Sequence, residues 1–140
     1  MTLAERIYLD SWVWIEYFTT GQKSDKAEKI IESLEVKQGI ISTIVILEVQ
    51  YRLATKLGAD VAEEIIRAVQ SFESLSILPV TKQVVKSAVE IRLKYYHRKT
   101  RPLSYGDAIH IATAILARCD RIYSGDSDFE NISEIHTEII

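Results

Sequence analysis

Short apolar runs alternate along this chain with longer segments of helical periodicity, and this alternation limits the possible folds more than any other sequence feature. The runs typical of buried β-strands are residues 6–9, 39–42, 75–80 and 121–124, with 135–139 as a candidate fifth. Strands that alternate with helices are typical of α/β folds, in which helical crossovers join parallel strands. The sequence therefore predicts an α/β domain with a mainly parallel central sheet of four to five strands flanked by helices.

The segments between these strands contain the signals that begin and end helices. Asp25 opens a sequence that resembles a capping box, Gly58 stops a long apolar segment, and Pro102 interrupts helical periodicity. The predicted helices are 11–19, 25–37, 43–57, 60–72, 81–99 and 104–118. We therefore expect regular structure joined by short connections.

The length and composition indicate a single domain covering residues 1–140. With 140 residues, 47% of them hydrophobic, the chain can bury a core of its own. The one cysteine, Cys119, excludes an intramolecular disulfide and a cysteine-based zinc cluster. No segment has the apolar length of a membrane span or a signal peptide, so we expect a soluble, cytoplasmic protein.

Acidic residues follow two of the predicted strands directly. Asp10 comes after the first strand, and Asp126 and Asp128 come after the fourth. In parallel α/β sheets the functional crevice lies beyond the carboxyl ends of the strands. Each position also has a purely structural interpretation, because Asp caps helices well and is common in turns.

Two further acids lie in predicted helices. Glu48 interrupts a strongly apolar helix, where an unpaired charge is costly to bury, although a salt bridge on a partly exposed face would explain it equally well. Asp107 follows Ser104 at the spacing of a capping box, which is its structural alternative. Gly106 is unfavourable in a first helical turn and suggests that a ligand or another backbone comes close.

Together these acids predict a divalent-cation site more strongly than any one of them does. Carboxylates that converge repel each other unless a cation neutralises them, and Mg²⁺ and Mn²⁺ prefer oxygen ligands. The three histidines share no metal-binding spacing, and His110 is interpreted as an ordinary helix-face residue.

The four acidic segments resemble the motifs of PIN-domain ribonucleases, in particular the VapC-type toxins. The resemblance comprises Leu9-Asp10-Ser11, Glu48 in its apolar helix, Ser104 to Ala112 with Asp107 at its centre, and Ser124 to Phe129. The last two segments are the more specific, and Ser124 stands where the family often has Thr. The motifs extend from residue 10 to residue 129, nearly the whole chain.

This resemblance implies a Rossmann-like sheet and an Mg²⁺- or Mn²⁺-dependent ribonuclease, the toxin of a type II toxin–antitoxin pair. Asp10, Glu48 and Asp107 would hold one metal ion, and Asp126 would support it or help a second. Asp128 is a weaker ligand candidate, and Ser124 would orient a water or a carboxylate. The resemblance also implies an antitoxin partner and a homodimer. The apolar, aromatic helix 11–18 is a candidate partner surface, unless another helix covers it.

The net charge of −3 argues mildly against a nucleic-acid ligand, but the positive charge is concentrated locally. Residues 92–101 contain five of the 17 basic residues and no acid, and tyrosines are interleaved with them. The predicted RNA-binding residues are Lys94, Arg98, Lys99 and Arg101. A solvated helix end whose cations complement the helix dipole is an equally good explanation.

Other functions on a similar sheet fit the sequence less well. A receiver domain needs paired acids after the first strand and a lysine after the last, and neither is present. An aspartyl phosphatase needs Asp-x-Asp after the first strand, where this chain has Trp12. A catalytically silent PIN-like module that binds RNA or protein remains the alternative.

Overall fold

The protein forms one five-stranded parallel sheet with helices packed on it, in a computed structural model that describes residues 3–140. The strand order is β3-β2-β1-β4-β5, and the strands are β1 Arg6–Leu9, β2 Gln38–Ser42, β3 Leu75–Leu78, β4 Arg121–Ser124 and β5 His136–Ile139. Every adjacent pair is parallel. This arrangement confirms the predicted α/β fold.

Within residues 3–140, six α-helices connect the strands: α1 Ser11–Phe18, α2 Ser24–Glu32, α3 Thr43–Leu57, α4 Ala59–Gln70, α5 Lys82–Tyr95 and α6 Tyr105–Leu116. Short 3₁₀ turns cover Ser33–Glu35 and Ser127–Phe129. The central strand β1 is apolar at consecutive positions, and Ile7, Tyr8 and Leu9 have no exposed surface. Such continuous burial is expected when helices cover both faces of a parallel sheet.

The order in which the chain adds strands to the sheet switches from one side of β1 to the other. This switch point determines where a ligand-binding crevice can form. From β1 the chain proceeds outward to β2 and β3 on one side, and later to β4 and β5 on the other. The crossover helices therefore diverge at the carboxyl ends of β1 and β4 and leave a crevice between them. Asp10 follows β1 at this crevice, and β4 ends beside it at Ser124, two residues before Asp126.

Several predicted boundaries differ from the structure. Helix α5 ends at Tyr95 instead of residue 99, because His97 and Arg101 exchange backbone hydrogen bonds of 2.8 and 2.9 Å. The His97 Nδ1 atom also accepts the Lys99 N–H, so the local side chain supports a turn in place of the helix. Strand β3 ends at Leu78, and the predicted capping box at Asp25 is wrong because α2 begins at Ser24 without a side-chain cap.

Helix α1 is less exposed than its composition suggests. Trp14 has no exposed surface, and its ring lies 6.1 Å from that of Phe72. Tyr17 and Phe18 are half-buried and pack edge to face at 4.9 Å. Helix α2 packs along α1, which favours the alternative that another helix covers this apolar surface. Across residues 3–140, no helix has both the length and the apolar character that a membrane crossing requires.

Candidate active site

The carboxyl ends of β1 and β4 are held side by side and present the first predicted acid. Leu9 is paired with Tyr123, and the Asp10 N–H donates to the Tyr123 carbonyl at 3.2 Å. Asp10 is also the residue before α1, but its side chain makes no capping hydrogen bond to that helix. Capping therefore does not account for the Asp10 carboxylate.

Ser124 connects Asp10 with Asp126. Its Oγ donates to Asp10 Oδ2 at 2.8 Å and accepts the Asp126 N–H at 3.0 Å. Asp10 is only 4% exposed, and within residues 3–140 its buried Oδ1 has no hydrogen-bond partner. An unsatisfied buried carboxylate oxygen is costly. This oxygen is therefore suited to a cationic ligand that the protein chain itself does not supply.

Glu48 reaches the same crevice from the second turn of α3. Ser42 begins this helix, its Oγ accepting the Ile44 N–H at 3.0 Å. Glu48 Oε1 accepts hydrogen bonds of 2.7 Å from Ser11 Oγ and from His110 Nε2. The side chain is 36% exposed, and it is paired on its protein side instead of extending freely into solvent.

Asp107 has the capping role that is its structural alternative, and it also lines the pocket at the crevice. It forms a capping box with Ser104, whose Oγ accepts the Asp107 N–H at 3.0 Å while Asp107 Oδ2 accepts the Ser104 N–H at 3.1 Å. Gly106 explains why Glu48 can come so close, since a β-carbon at this position would lie 2.9 Å from Glu48 Oε2. The close neighbour of this glycine is therefore the Glu48 side chain, whereas the sequence suggested a ligand or another backbone.

A pocket of about 240 Å³ brings four of the predicted acids together: Asp10, Glu48, Asp107 and Asp126 line it, with Ser11, Trp12, Ile15, Arg52 and His110. At one side, carboxylate oxygens of Asp107, Asp126 and Asp128 lie within 4.8 Å of one another. Asp126 Oδ1 also accepts the Asp128 N–H at 2.9 Å, which draws the last two acids into one turn. This spacing gives Asp128 a larger place in the cluster than the sequence suggested.

Burial and mutual repulsion shift the acidity of these carboxyl groups. Burial raises the pKa of Asp10 to about 7, although the His110 ring and the Ser124 hydrogen bond oppose the shift. Burial also raises the pKa values of Asp107 and Asp128, and Asp126 adds to both shifts. Burial acts in the same direction on Glu48, but hydrogen bonds from His110 and Ser11 outweigh it, so the pKa of Glu48 is lowered.

These residues fit a divalent cation. The donor set consists of carboxylate oxygens, which hard cations such as Mg²⁺ and Mn²⁺ prefer. The buried Asp10 Oδ1 lacks a donor, and the repulsion among Asp107, Asp126 and Asp128 would be relieved by positive charge. Among the described residues, the cluster formed by Asp107, Asp126 and Asp128 is thus able to bind a divalent metal ion.

Sequence reasoning missed several residues of the pocket. His110 was interpreted as a helix-face residue, but it is 1% exposed and bonded to Glu48. Ser11 shares the same Glu48 oxygen, and Arg52 lies one helical turn after Glu48 on α3. The i, i+4 spacing of Glu48 and Arg52 was visible in the sequence and was a signal for Arg52.

The predicted RNA-binding residues lie outside this pocket and differ in their environments. Lys94 forms an ion pair with Glu134 at 3.1 Å. Arg98 and Lys99 are exposed in the turn that follows α5. Arg101 is half-buried, its guanidinium 5.3 Å from the Tyr95 ring. The Arg98 and Lys99 side chains are therefore accessible to a ligand.

An acidic pocket at the switch point of a parallel sheet defines an α/β protein with a candidate cation site of the kind that serves phosphate chemistry. The family model described as PIN domain matches residues 7–135, and the chain belongs to this family. This membership confirms the family to which the acidic motifs pointed.

Solved structures of similar fold include toxin–antitoxin proteins. VapBC2 from Rickettsia felis, bound to a DNA fragment from its promoter, has a TM-score of 0.76 and 16% identity over 96% of this chain and 98% of the other. VapC20 from Mycobacterium tuberculosis, a Sarcin-Ricin loop cleaving toxin, has a TM-score of 0.74 and 21% identity over 93% and 98%. FitAcB from Neisseria gonorrhoeae has a TM-score of 0.69 and 21% identity over 94% and 95%. These likenesses show a shared fold. Comparison with curated proteins gives no match.

Proposed function

We propose that this protein is a metal-dependent ribonuclease that hydrolyses RNA phosphodiester bonds in the cytoplasm as the toxin of a type II toxin–antitoxin pair. The observation that carries the proposal is the buried Asp10 Oδ1, which has no partner within residues 3–140 and lines a pocket with three other acids. Such an arrangement is costly unless a cation binds there. Membership of the PIN domain family and the similarity in fold to VapC20 support RNA as the substrate.

The ligands proposed for Mg²⁺ or Mn²⁺ come from both sides of the crevice. Asp10, Glu48 and Asp107 would hold one ion, while Asp126 and Asp128 would support it or help a second. When bound, the ion lowers the pKa of a water molecule and stabilises negative charge on the scissile phosphate. Ser124 keeps the Asp10 carboxylate oriented through its 2.8 Å hydrogen bond to Oδ2, which leaves Oδ1 for the ion.

Arg52 is the proposed phosphate contact. It lines the pocket on the same helix as Glu48 and, apart from His110, is the only basic side chain among the described lining residues. An arginine fork matches phosphate oxygens and would hold an RNA phosphate near the acids. The exposed Arg98 and Lys99 would guide the rest of the single strand toward the pocket.

The decisive experiment is RNA cleavage by the purified protein with Mn²⁺, with Mg²⁺ and with excess EDTA. We expect cleavage that EDTA abolishes and that Asp10→Asn lowers about 100-fold or more, as expected when charge stabilisation at the reacting phosphate is lost. The matched control is Asp60→Asn, an exposed acid in the first turn of α4. RNA binding without cleavage under every metal condition would favour the catalytically silent module instead.

The proposed antitoxin contact is the apolar surface of α3 beside the pocket. Leu47 is 62% exposed and Tyr51 is 71% exposed, and they flank Glu48 in sequence on the same helix. An antitoxin segment that packed on these side chains would also cover the acidic pocket. The structural relatives from Rickettsia felis and Salmonella typhimurium are VapBC proteins, which supports a partner of this kind.

The proposed homodimer surface is the groove between α5 and α6. Val85, Val89 and Leu93 recur every four residues on the exposed side of α5, while Val84, Ala88 and Ile91 face the core. Tyr96 and Tyr105 extend this apolar surface around a groove of about 380 Å³. An apolar surface of this kind is typical of an interface between subunits.

A further inference from the structure

A chain of hydrogen bonds runs from the buried sheet to the acidic pocket. The Ser42 N–H, at the end of β2, donates to Tyr8 Oη at 3.3 Å. Tyr8 Oη lies 2.8 Å from His110 Nδ1, and His110 Nε2 lies 2.7 Å from Glu48 Oε1. Tyr8 has no exposed surface and His110 is 1% exposed. These hydrogen bonds are therefore enclosed in the core until they reach Glu48.

The partners determine the direction of each hydrogen bond. Tyr8 Oη accepts the Ser42 N–H, so its single hydrogen is free to donate to His110 Nδ1. Glu48 Oε1 is a carboxylate oxygen and can only accept, so the hydrogen of that bond is on His110 Nε2, and Nδ1 is left to accept from the Tyr8 hydroxyl.

The two oxygens of Glu48 consequently differ. Oε1 receives hydrogen bonds from both His110 Nε2 and Ser11 Oγ, each at 2.7 Å. Oε2 receives no hydrogen bond within the described chain, and it lies against Gly106, beside Asp107. The protein therefore occupies Oε1 and leaves Oε2, on the side of Gly106, without a hydrogen-bond donor among the described residues.

We infer that Tyr8 and His110 are positioning residues, which hold Glu48 Oε1 so that Oε2 is presented to the divalent cation. A group that forms a hydrogen bond to a metal-ligating side chain commonly fixes the orientation of that side chain and raises its affinity for the metal. A purely structural role accounts less well for the arrangement. Two apolar residues would fill the same core space without buried polar atoms, whereas the hydrogen-bond chain ends with His110 Nε2 donating to Glu48 Oε1 at 2.7 Å. The inference rests on the cation site of the proposed function.

The test is the affinity for Mn²⁺, measured by titration calorimetry and by electron paramagnetic resonance of free Mn²⁺, without any RNA. Tyr8→Phe removes only the hydroxyl, and His110→Leu removes both ring nitrogens. We expect each variant to bind Mn²⁺ about 10- to 100-fold more weakly, the range observed when such outer partners of metal ligands are lost. His110→Gln retains an N–H donor at the position of Nε2 and should restore most of the affinity. Tyr17→Phe, a half-buried tyrosine on α1, is the matched control and should bind as the wild type does.

The outcomes separate this inference from the proposed function. Wild-type binding of Mn²⁺ that Asp10→Asn weakens, together with unchanged affinity in Tyr8→Phe, would overturn the positioning role and leave the metal site intact. Absence of Mn²⁺ binding by the wild type would overturn both. His110→Leu could also be less stable in EDTA and still bind Mn²⁺ as tightly as the wild type. That result would overturn the positioning role, because it is what a merely structural role predicts. If His110→Leu does not fold, Tyr8→Phe decides the question.

Discussion

Glu48 occupies the space that any side chain at position 106 would need: a β-carbon added to Gly106 would lie 2.9 Å from Glu48 Oε2 and 3.6 Å from its Cδ. The Glu48 carboxylate cannot simply rotate away, because Oε1 is held by Ser11 and His110. The absence of a side chain at Gly106 therefore makes room for the Glu48 carboxylate of α3, although a glycine does not favour the helical conformation of α6. A substitution of Gly106 should therefore change the affinity for a metal ion more than it changes the stability of the fold.

The first prediction is that Gly106→Ala lowers metal affinity without a matching loss of stability. Alanine favours helix formation by up to about 1 kcal/mol over glycine, which offsets part of the strain of displacing Glu48. We expect the free energy of unfolding in EDTA to change by less than about 1 kcal/mol, while Mn²⁺ affinity falls about 10-fold. Chemical denaturation and calorimetry measure the two effects. Ser87→Ala on α5 is the control, and parallel losses of stability and affinity would contradict the prediction.

The second prediction concerns pH and the metal-free protein. The pKa of Asp10 is about 7 in the folded state, above its ordinary value of 3.8, so between these values the folded state binds more protons than the unfolded state. Stability in EDTA should therefore fall as the pH rises from about 4 to 7, with a slope of up to about 1.4 kcal/mol per pH unit from this group. The raised pKa of Asp107 acts in the same direction, and the lowered pKa of Glu48 opposes it.

Bound metal favours the ionised carboxylates, so Mn²⁺ should flatten this pH profile and stabilise the protein more at pH 7 than at pH 5. Asp10→Asn should make the metal-free profile shallower and reduce the stabilisation by Mn²⁺. Melting temperatures across this pH range, with and without Mn²⁺, test both statements. A metal-free stability that rises steadily from pH 4 to 7 would show that Asp10 is not the dominant group.

The strand-end positions of Asp10 and Asp126 could be predicted because they depend on local signals. Each follows a short apolar run, and the carboxyl ends of parallel strands meet at one edge of the sheet. Gly106 was likewise informative, since a glycine in a first helical turn requires a reason and Glu48 provides it. These features are determined by a residue and its immediate neighbours in sequence.

Other features depend on contacts between distant segments and could not be predicted. Helix α6 is apolar on nearly every side, so its periodicity does not show that His110 faces Tyr8, 102 positions earlier. The burial of Trp14 depends in part on Phe72, which lies just after the end of α4. The end of α5 at Tyr95 is determined by the bridge between His97 and Arg101, which the helical pattern of residues 92–99 conceals.

The third prediction is that Arg52 contributes to RNA recognition and does not contribute to metal binding. Arg52→Ala should lower kcat/KM about 10- to 100-fold, the loss expected for a charged hydrogen bond to phosphate, and Arg52→Lys should lower it less. Mn²⁺ affinity should be unchanged or slightly higher, because a cation next to the acids is removed. Lys56→Ala, one turn further along α3, is the control. A kcat/KM at the wild-type level would exclude the proposed phosphate contact.

The fourth prediction divides the basic segment into cations that contact RNA and one that supports the fold. Arg98→Ala with Lys99→Ala should weaken binding of a labelled single strand and reduce the salt slope by about 0.7 for each phosphate that is no longer neutralised. Lys94→Ala should change the slope less, because Lys94 is already paired with Glu134. Fluorescence anisotropy in an Asp10→Asn background measures binding without cleavage. If the salt dependence of RNA binding has the same slope in the wild type and all variants, residues 92–101 are a solvated helix end and do not bind RNA.

The fifth prediction is that the protein is a homodimer and that Leu93 lies at the centre of the proposed subunit interface. Leu93 is 82% exposed although it is large and apolar, and Val89, one turn earlier, is 52% exposed. Leu93→Glu places a charge in the middle of this surface and should convert the dimer to a folded monomer, because an unpaired charge in an apolar interface is costly to bury. Light scattering measures the mass and circular dichroism measures folding. Tyr51→Glu on α3 is the matched control, and it should keep the dimer while weakening binding to an antitoxin segment. A dimer that persists in Leu93→Glu and dissociates in Tyr51→Glu would place the subunit interface on α3 instead.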